Sequence, residues 1–137
     1  MATDKLVTEL MTADLVSVDR TQPLSEVYHL LKSAPFHHLP VLDDNKPIGM
    51  ISSVDVLRMA YDIDGFDDRD MSEMLDYQFC IDDAMTEDLR ALPPTATIAE
   101  AADMLSDGKA HSVLVLDAGE MVGIVTTTDL VRYLRDL

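Results

Sequence analysis

Residues 7–58 and 81–132 carry one pattern at a constant offset of 74, with no gap. "LMTADL" (10–15) falls on "AMTEDL" (84–89), "HHLPVLD" (37–43) on "HSVLVLD" (111–117), and "GMISSVDVLR" (49–58) on "GIVTTTDLVR" (123–132). Between these blocks Thr21 meets Thr95, Glu26 meets Glu100 and Leu31 meets Leu105. The matched residues are of too many types for compositional bias to account for them. The chain is therefore two copies of one supersecondary unit, and a unit this small leaves an apolar face that a second copy must cover. The division predicted is a first repeat over residues 1–60, an acidic linker with a short helix over 61–80, and a second repeat over 81–137.

Each copy predicts the same elements. A brief helical turn (Val7–Met11; Ile81–Met85) leads to a short strand around "LVSV" or "LRAL". An amphipathic helix follows, with Leu24, Val27, Tyr28 and Leu31 at i, i+3, i+4 and i+7, echoed by Ile98, Ala101, Ala102 and Leu105. Two strands come next, "HLPVLD" and "PIGMIS", then "SVLVLD" and "MVGIVT", joined by the hairpin-length connections "DNK" and "AGE". A last helix starts at Val54 or Thr128. The order β-α-β-β-α gives an α/β (α+β) architecture, with the two repeats expected to pack about a pseudo-twofold axis.

Hydrophobic residues make up 47% of the 137, but Trp is absent and aromatics are 5%, so the core is built from aliphatic side chains and Met. No apolar run approaches the roughly 18–20 residues of a membrane span. The start "MATDKLVTEL" lacks the basic-then-apolar pattern of a signal peptide. The single cysteine, Cys80, cannot form an intramolecular disulfide and fits a reducing compartment, so a cytoplasmic location is expected. Net charge is −16, from 10 basic and 26 acidic residues. That field disfavours nucleic acid and requires any anionic ligand to be held by local groups.

The connector is the most acidic stretch. "DIDGFDD" invites comparison with a calcium loop, but aligning Gly65 on its glycine puts Ala60 at the first carboxylate position and Met71 at the bidentate Glu position. Met71, Met74, Leu75 and Phe79 have helical spacing and are expected to pack on the core. Enzymatic signatures are missing: there is no HExxH, no paired CxxC and no Walker-type loop. Of the four histidines, His37 and His38 are adjacent on a strand and point to opposite faces, which argues against a shared metal. No catalytic residue, metal ligand or required cofactor is assigned.

The segments "GMISSVD" and "GIVTTTD" remain. Each is a strand, a Ser or Thr, an Asp three residues on, then an apolar helix. This is the spacing of a helix capping box, worth on the order of 1 kcal/mol. The same junction offers free N–H groups and hydroxyls to a ligand. An Asp one turn in would repel phosphate, so it fits a neutral diol such as that of ribose. Capping and binding are compatible.

Two β-α-β-β-α repeats, each ending in Gly-x-x-[S/T]-x-x-Asp, resemble paired CBS domains, the arrangement called a Bateman module, from about Val7 to Leu134. The resemblance implies a stand-alone regulatory module that binds an adenosine-containing ligand in clefts between the repeats, without catalysis. AMP, ADP or ATP is the leading ligand class. S-adenosylmethionine or NAD, and a ligand-free scaffold acting through dimerisation, are the alternatives. By resemblance Ser52 and Asp55 serve one site and Thr126 and Asp129 the other, the Ser/Thr toward phosphate and the Asp toward the ribose. Ser17 and Val18, then Ala91 and Leu92, meet the adenine through backbone and apolar contact. The strands opening with His37, His38, Leu39 and Pro40, and with His111, Ser112 and Val113, flank the base. His37 and His111 stand where nucleotide-sensing kinase subunits carry His followed by Arg, but His38 and Ser112 replace that Arg, and Leu114 replaces the proline present at Pro40. Thr128 adds a hydroxyl, so the Thr126–Asp129 site is expected to be the better formed. A homodimer, an unidentified protein target, and no nucleic-acid or membrane partner complete the expectation.

Overall fold

The computed structural model describes residues 4–13, 16–33, 38–61 and 68–137, with only the backbone for 68–70. It contains two compact units: Val16–Asp88, and Leu89–Leu137 together with Met1–Leu15.

In the unit Val16–Asp88 the elements are β1 (Val18–Asp19), α1 (Leu24–Ser33), β2 (His38–Asp43), β3 (Lys46–Ser52), α2 (Ser53–Tyr61), α3 (Asp68–Gln78) and α4 (Ile81–Ala84). β1 runs parallel to β2, with Val18 opposite Val41, and β2 pairs antiparallel with β3. The hairpin turns on two residues, Asp44 (φ 54°) and Asn45 (φ 67°). Both lie in the left-handed region that a type I′ turn demands and that Asp and Asn tolerate. Lys46, expected in the connection, is already in the strand. Leu24, Val27 and Leu31 of α1 are buried against Leu39, Val41, Ile51 and Val56. The linker helix α3 spans eleven residues and buries Leu75 completely in this core, with Met71, Met74 and Phe79 packed around it. Two polar ties hold α3 on α1: Ser25 donates through its N–H and hydroxyl to Asp76 (2.8 and 2.6 Å), and His29 Nε2 lies 2.8 Å from Ser72 Oγ.

The other unit repeats the plan with β4 (Ala91–Leu92), α5 (Ile98–Leu105), β5 (Ser112–Asp117), β6 (Glu120–Thr126) and α6 (Thr127–Arg135). The strand order and register are the same, and the turn residues are Ala118 (φ 54°) and Gly119 (φ 84°). α5 begins with a capping box, Thr97 Oγ1 accepting from Glu100 N–H at 3.2 Å. Its core gathers Val7, Ala96, Ala101, Val115 and Val125.

The short turns that precede each repeat have exchanged places. The 3₁₀ turn Val7–Glu9 and the residues after it fold on the second sheet, where Thr12 and Ile124 exchange backbone hydrogen bonds of 2.9 and 3.0 Å. α4 and the residues after it fold on the first sheet, where Met50 and Thr86 do the same at 2.9 and 2.8 Å. A glycine receives each crossing. A Cβ at Gly49 would lie 2.6 Å from Met85 Sδ, and one at Gly123 would overlap Met11 Sδ. Arg20 clamps α4 further, bonding Asp82 at 2.7 Å and Asp43 at 3.1 Å.

Candidate ligand-binding site

The strand directions gather the candidate residues of each unit at one end of its sheet. β1 and β2 start at the end where antiparallel β3 finishes, so His38 pairs across to Ser52, Leu39 to Ile51 and Pro40 to Met50. Ser17, immediately before β1, is at the same end, because Val18 pairs with Val41. In the other unit Ser112 pairs with Thr126 and Val113 with Val125, while Ala91 and Leu92 pair with Leu114 and Val115.

At that end each sheet passes directly into a helix, and the junction is capped. Ser52 donates its N–H (2.9 Å) and its hydroxyl (2.8 Å) to Asp55 Oδ2, and Asp55 N–H donates back to Ser52 Oγ at 3.2 Å. Thr126 N–H donates to Asp129 Oδ2 at 2.8 Å, and Asp129 N–H to Thr126 Oγ1 at 3.1 Å. Each aspartate is half-buried, and the described residues engage only its Oδ2. The second oxygen can accept from a diol without breaking the cap. Thr127, not among the candidates, adds a tie of its own: its N–H donates to His111 O at 3.0 Å. Thr128 is exposed on the first turn of α6.

The remaining candidates divide by orientation. Val18, Leu39 and Val113 are at most 2% exposed and belong to the hydrophobic core, so their side chains face the interior rather than a ligand. Pro40 is buried as well. Ser17, His38, Ala91, Leu92 and Ser112 are half-buried and His111 is exposed. His37 lies outside the described residues, as does the segment 62–67 that was compared with a calcium loop. Among the described residues no group of three or more His, Cys, Asp or Glu could hold a metal ion, and no helix is long and apolar enough to cross a membrane.

The arginines beside the first strands are engaged elsewhere. Arg20, immediately after β1, is held by Asp82 and Asp43, and these bonds push its pKa further up. Arg90, immediately before β4, forms a fork on Asp107 (3.0 and 2.9 Å) and also donates to Met104 O. The Arg90 bond is the main cause that holds the Asp107 carboxyl below the usual carboxylate range. Sequence spacing alone does not reveal this pair, whose members are 17 residues apart and differ from the aligned Val16 and Ser33.

A twice-repeated α/β unit with a hydroxyl–carboxylate junction at the end of each sheet defines the class of protein. The profile of the CBS domain family matches residues 7–62 and 81–136, and the chain belongs to that family. Solved structures agree on the fold. CBSX2, crystallised in complex with AMP, superimposes with a TM-score of 0.77 at 25% identity over 96% of this chain and 97% of that one. The CBS domain pair of MJ0100, in complex with 5′-methylthioadenosine and S-adenosyl-L-methionine, gives a TM-score of 0.76 at 21% identity, covering 96% and 97%. Protein MJ1404 of Methanocaldococcus jannaschii is 24% identical over 145 residues and covers 98% of this chain. The chain spans only 33% of MJ1404 and 43% of MJ0188, a second relative from that organism.

Proposed function

We propose that the chain is a regulatory module that senses an adenosine-containing ligand and has no catalysis of its own. The observation that carries this reading is the duplicated junction, Ser52 with Asp55 and Thr126 with Asp129. Each carboxylate is held by one oxygen and has the other available to two ribose hydroxyls. The backbone of Ser17 and Val18, or of Ala91 and Leu92, would meet the base. His37 to Pro40, or His111 to Val113, would flank it, and Thr128 would add a hydroxyl. Adenine nucleotides are the first ligands to test, since CBSX2 was crystallised with AMP. S-adenosylmethionine is the second, supported by the MJ0100 complex. Binding would shift the conformational equilibrium of the module and be read by a protein target. A homodimer formed through the helices, in the cytoplasm, completes the proposal. Val54, Leu57 and Tyr61 on α2, and Val131 and Leu134 on α6, supply exposed apolar surface for it.

A thermal-shift panel of AMP, ADP, ATP, NAD and S-adenosylmethionine tests the reading. A ligand at 100 times its dissociation constant should add about 2.7 kcal/mol of stability. No shift with any adenosine compound at millimolar concentration would leave the scaffold alternative in its place.

A further inference from the structure

We infer that, within the adenosine class, the site favours ligands whose 5′ substituent is neutral or cationic, and that affinity falls with each phosphate added. This rests on the adenosine reading above and concerns only the charge of the group beyond the ribose.

The residues gathered at the two sheet ends supply hydroxyls, backbone groups, imidazole and one carboxylate each. Among the described residues from Ser17 to Val18, His38 to Pro40 and Ser52 to Asp55 there is no lysine or arginine. The same holds for Ala91 to Leu92, His111 to Val113 and Thr126 to Asp129. Of the two arginines that flank the first strands, Arg90 precedes β4 at the site end of its sheet, whereas Arg20 follows β1 at the opposite end, and both are committed. Arg20 is shared between Asp43 and Asp82, and Arg90 forks on Asp107. Lys109, two residues before His111, lies close enough to Asp107 to help hold that carboxyl ionised. Lys46 opens β3 at its far end, roughly 20 Å from Ser52 at the rise of a strand. Arg58 and Arg132 lie in the last turns of α2 and α6, at the opposite helix ends from the two junctions.

The helix starts compensate little. A helix N-terminus attracts anions through free N–H groups and its positive dipole end. Here Asp55 N–H is taken by Ser52 Oγ, Asp129 N–H by Thr126 Oγ1 and Thr127 N–H by His111 O. An acidic residue already occupies each first turn. A phosphate of about −1.5 to −2 charge would enter beside a carboxylate, in the field of a chain of net charge −16. Ribose and adenine ask only for neutral hydrogen bonds and stacking, and a sulfonium centre would gain from the same field.

Titration calorimetry on the full chain, without divalent cations, tests this with adenosine, 5′-methylthioadenosine, S-adenosylmethionine, AMP, ADP and ATP. At ~0.05 M salt, methylthioadenosine and S-adenosylmethionine should bind more tightly than AMP, and AMP more tightly than ADP and ATP. The loss should be about threefold or more per added negative charge, narrowing as salt rises to ~0.5 M. If AMP or ATP binds as tightly as methylthioadenosine or more so, the charge inference is overturned and the adenosine reading stands. If none of the six binds, both fall.

Discussion

Asp55 and Asp129 each hold a helix start with one oxygen, so in the proposed site cap and ligand would draw on different atoms of one side chain. That separation makes the two roles testable at a single position. In Asp129→Asn the side-chain carbonyl can still accept from Thr126 N–H, so the cap survives and stability should fall by less than about 1 kcal/mol. Two ribose hydroxyls bonded to a carboxylate lose a charged acceptor, and adenosine-ligand affinity should drop by about tenfold or more. Calorimetry beside urea denaturation reads both quantities. Unchanged affinity with lowered stability would assign Asp129 to the helix alone. Asp55→Asn asks the same of the first unit. There Ser52 Oγ both donates to Asp55 and accepts from it, so the hydroxyl is more fully committed than Thr126 Oγ1. The extra threonines of the second junction therefore do not translate into more internal cap bonds.

At the scale of elements, Met85 over Gly49 and Met11 over Gly123 make glycine a requirement of packing, since neither position has a positive φ. Gly49→Ala should destabilise the protein by about 1–3 kcal/mol through overpacking. Combining it with Met85→Ala should cost clearly less than the sum of the two single changes, because the smaller side chain removes the sulfur that the new methyl meets. Recovery should be partial, as Thr86 O lies 3.1 Å from the same Cβ position. Additive effects in urea denaturation would show that the two residues do not oppose each other. These contacts also mark where sequence reading reached its end. The strands, the helix faces, the capped junctions and the burial of Leu75 were legible, because period and spacing report local geometry directly. The exchange of the lead-in turns was not. Met11 and Met85, like Gly49 and Gly123, are 74 residues apart, so the same residues offer the same packing on either sheet and the repeat cannot tell one pairing from the other. The Arg90–Asp107 fork was hidden for the opposite reason, since it occurs in one copy only and periodicity carries no trace of it. At the candidate site the strand pairing that sets His38 beside Ser52 follows the repeat. The burial of Val18, Leu39 and Val113 depends on which strand face meets the core helices.

For the whole molecule, 26 acidic residues against 10 basic ones set two opposing trends with pH. Self-repulsion at net charge −16 weakens the folded state at neutral pH and eases as pH falls toward the sequence pI of about 4.2. Against this, Asp19 and Asp107 have folded pKa values held below the ordinary one, chiefly by hydrogen bonds from Thr21 and Arg90, and Asp83 by a bond from the Cys80 N–H. A depressed folded pKa contributes stability above the unfolded value, about 3.9 for Asp, and that contribution is lost as pH falls through the folded value. Stability should therefore rise from pH 7 to about pH 5 and fall below about pH 4. Salt separates the two effects. The ion pairs of Arg20 and Arg90 are partly exposed and individually weak, whereas repulsion among many like charges is long-ranged and strongly screened. Raising sodium chloride from ~0.05 M to ~0.5 M at pH 7 should lift Tm by a few degrees, and the same step near the pI should leave it unchanged or lower it. A fall in Tm with salt at pH 7 would mean that the ion pairs outweigh the net charge. The field invoked against phosphate-rich ligands would then be weaker than the composition implies.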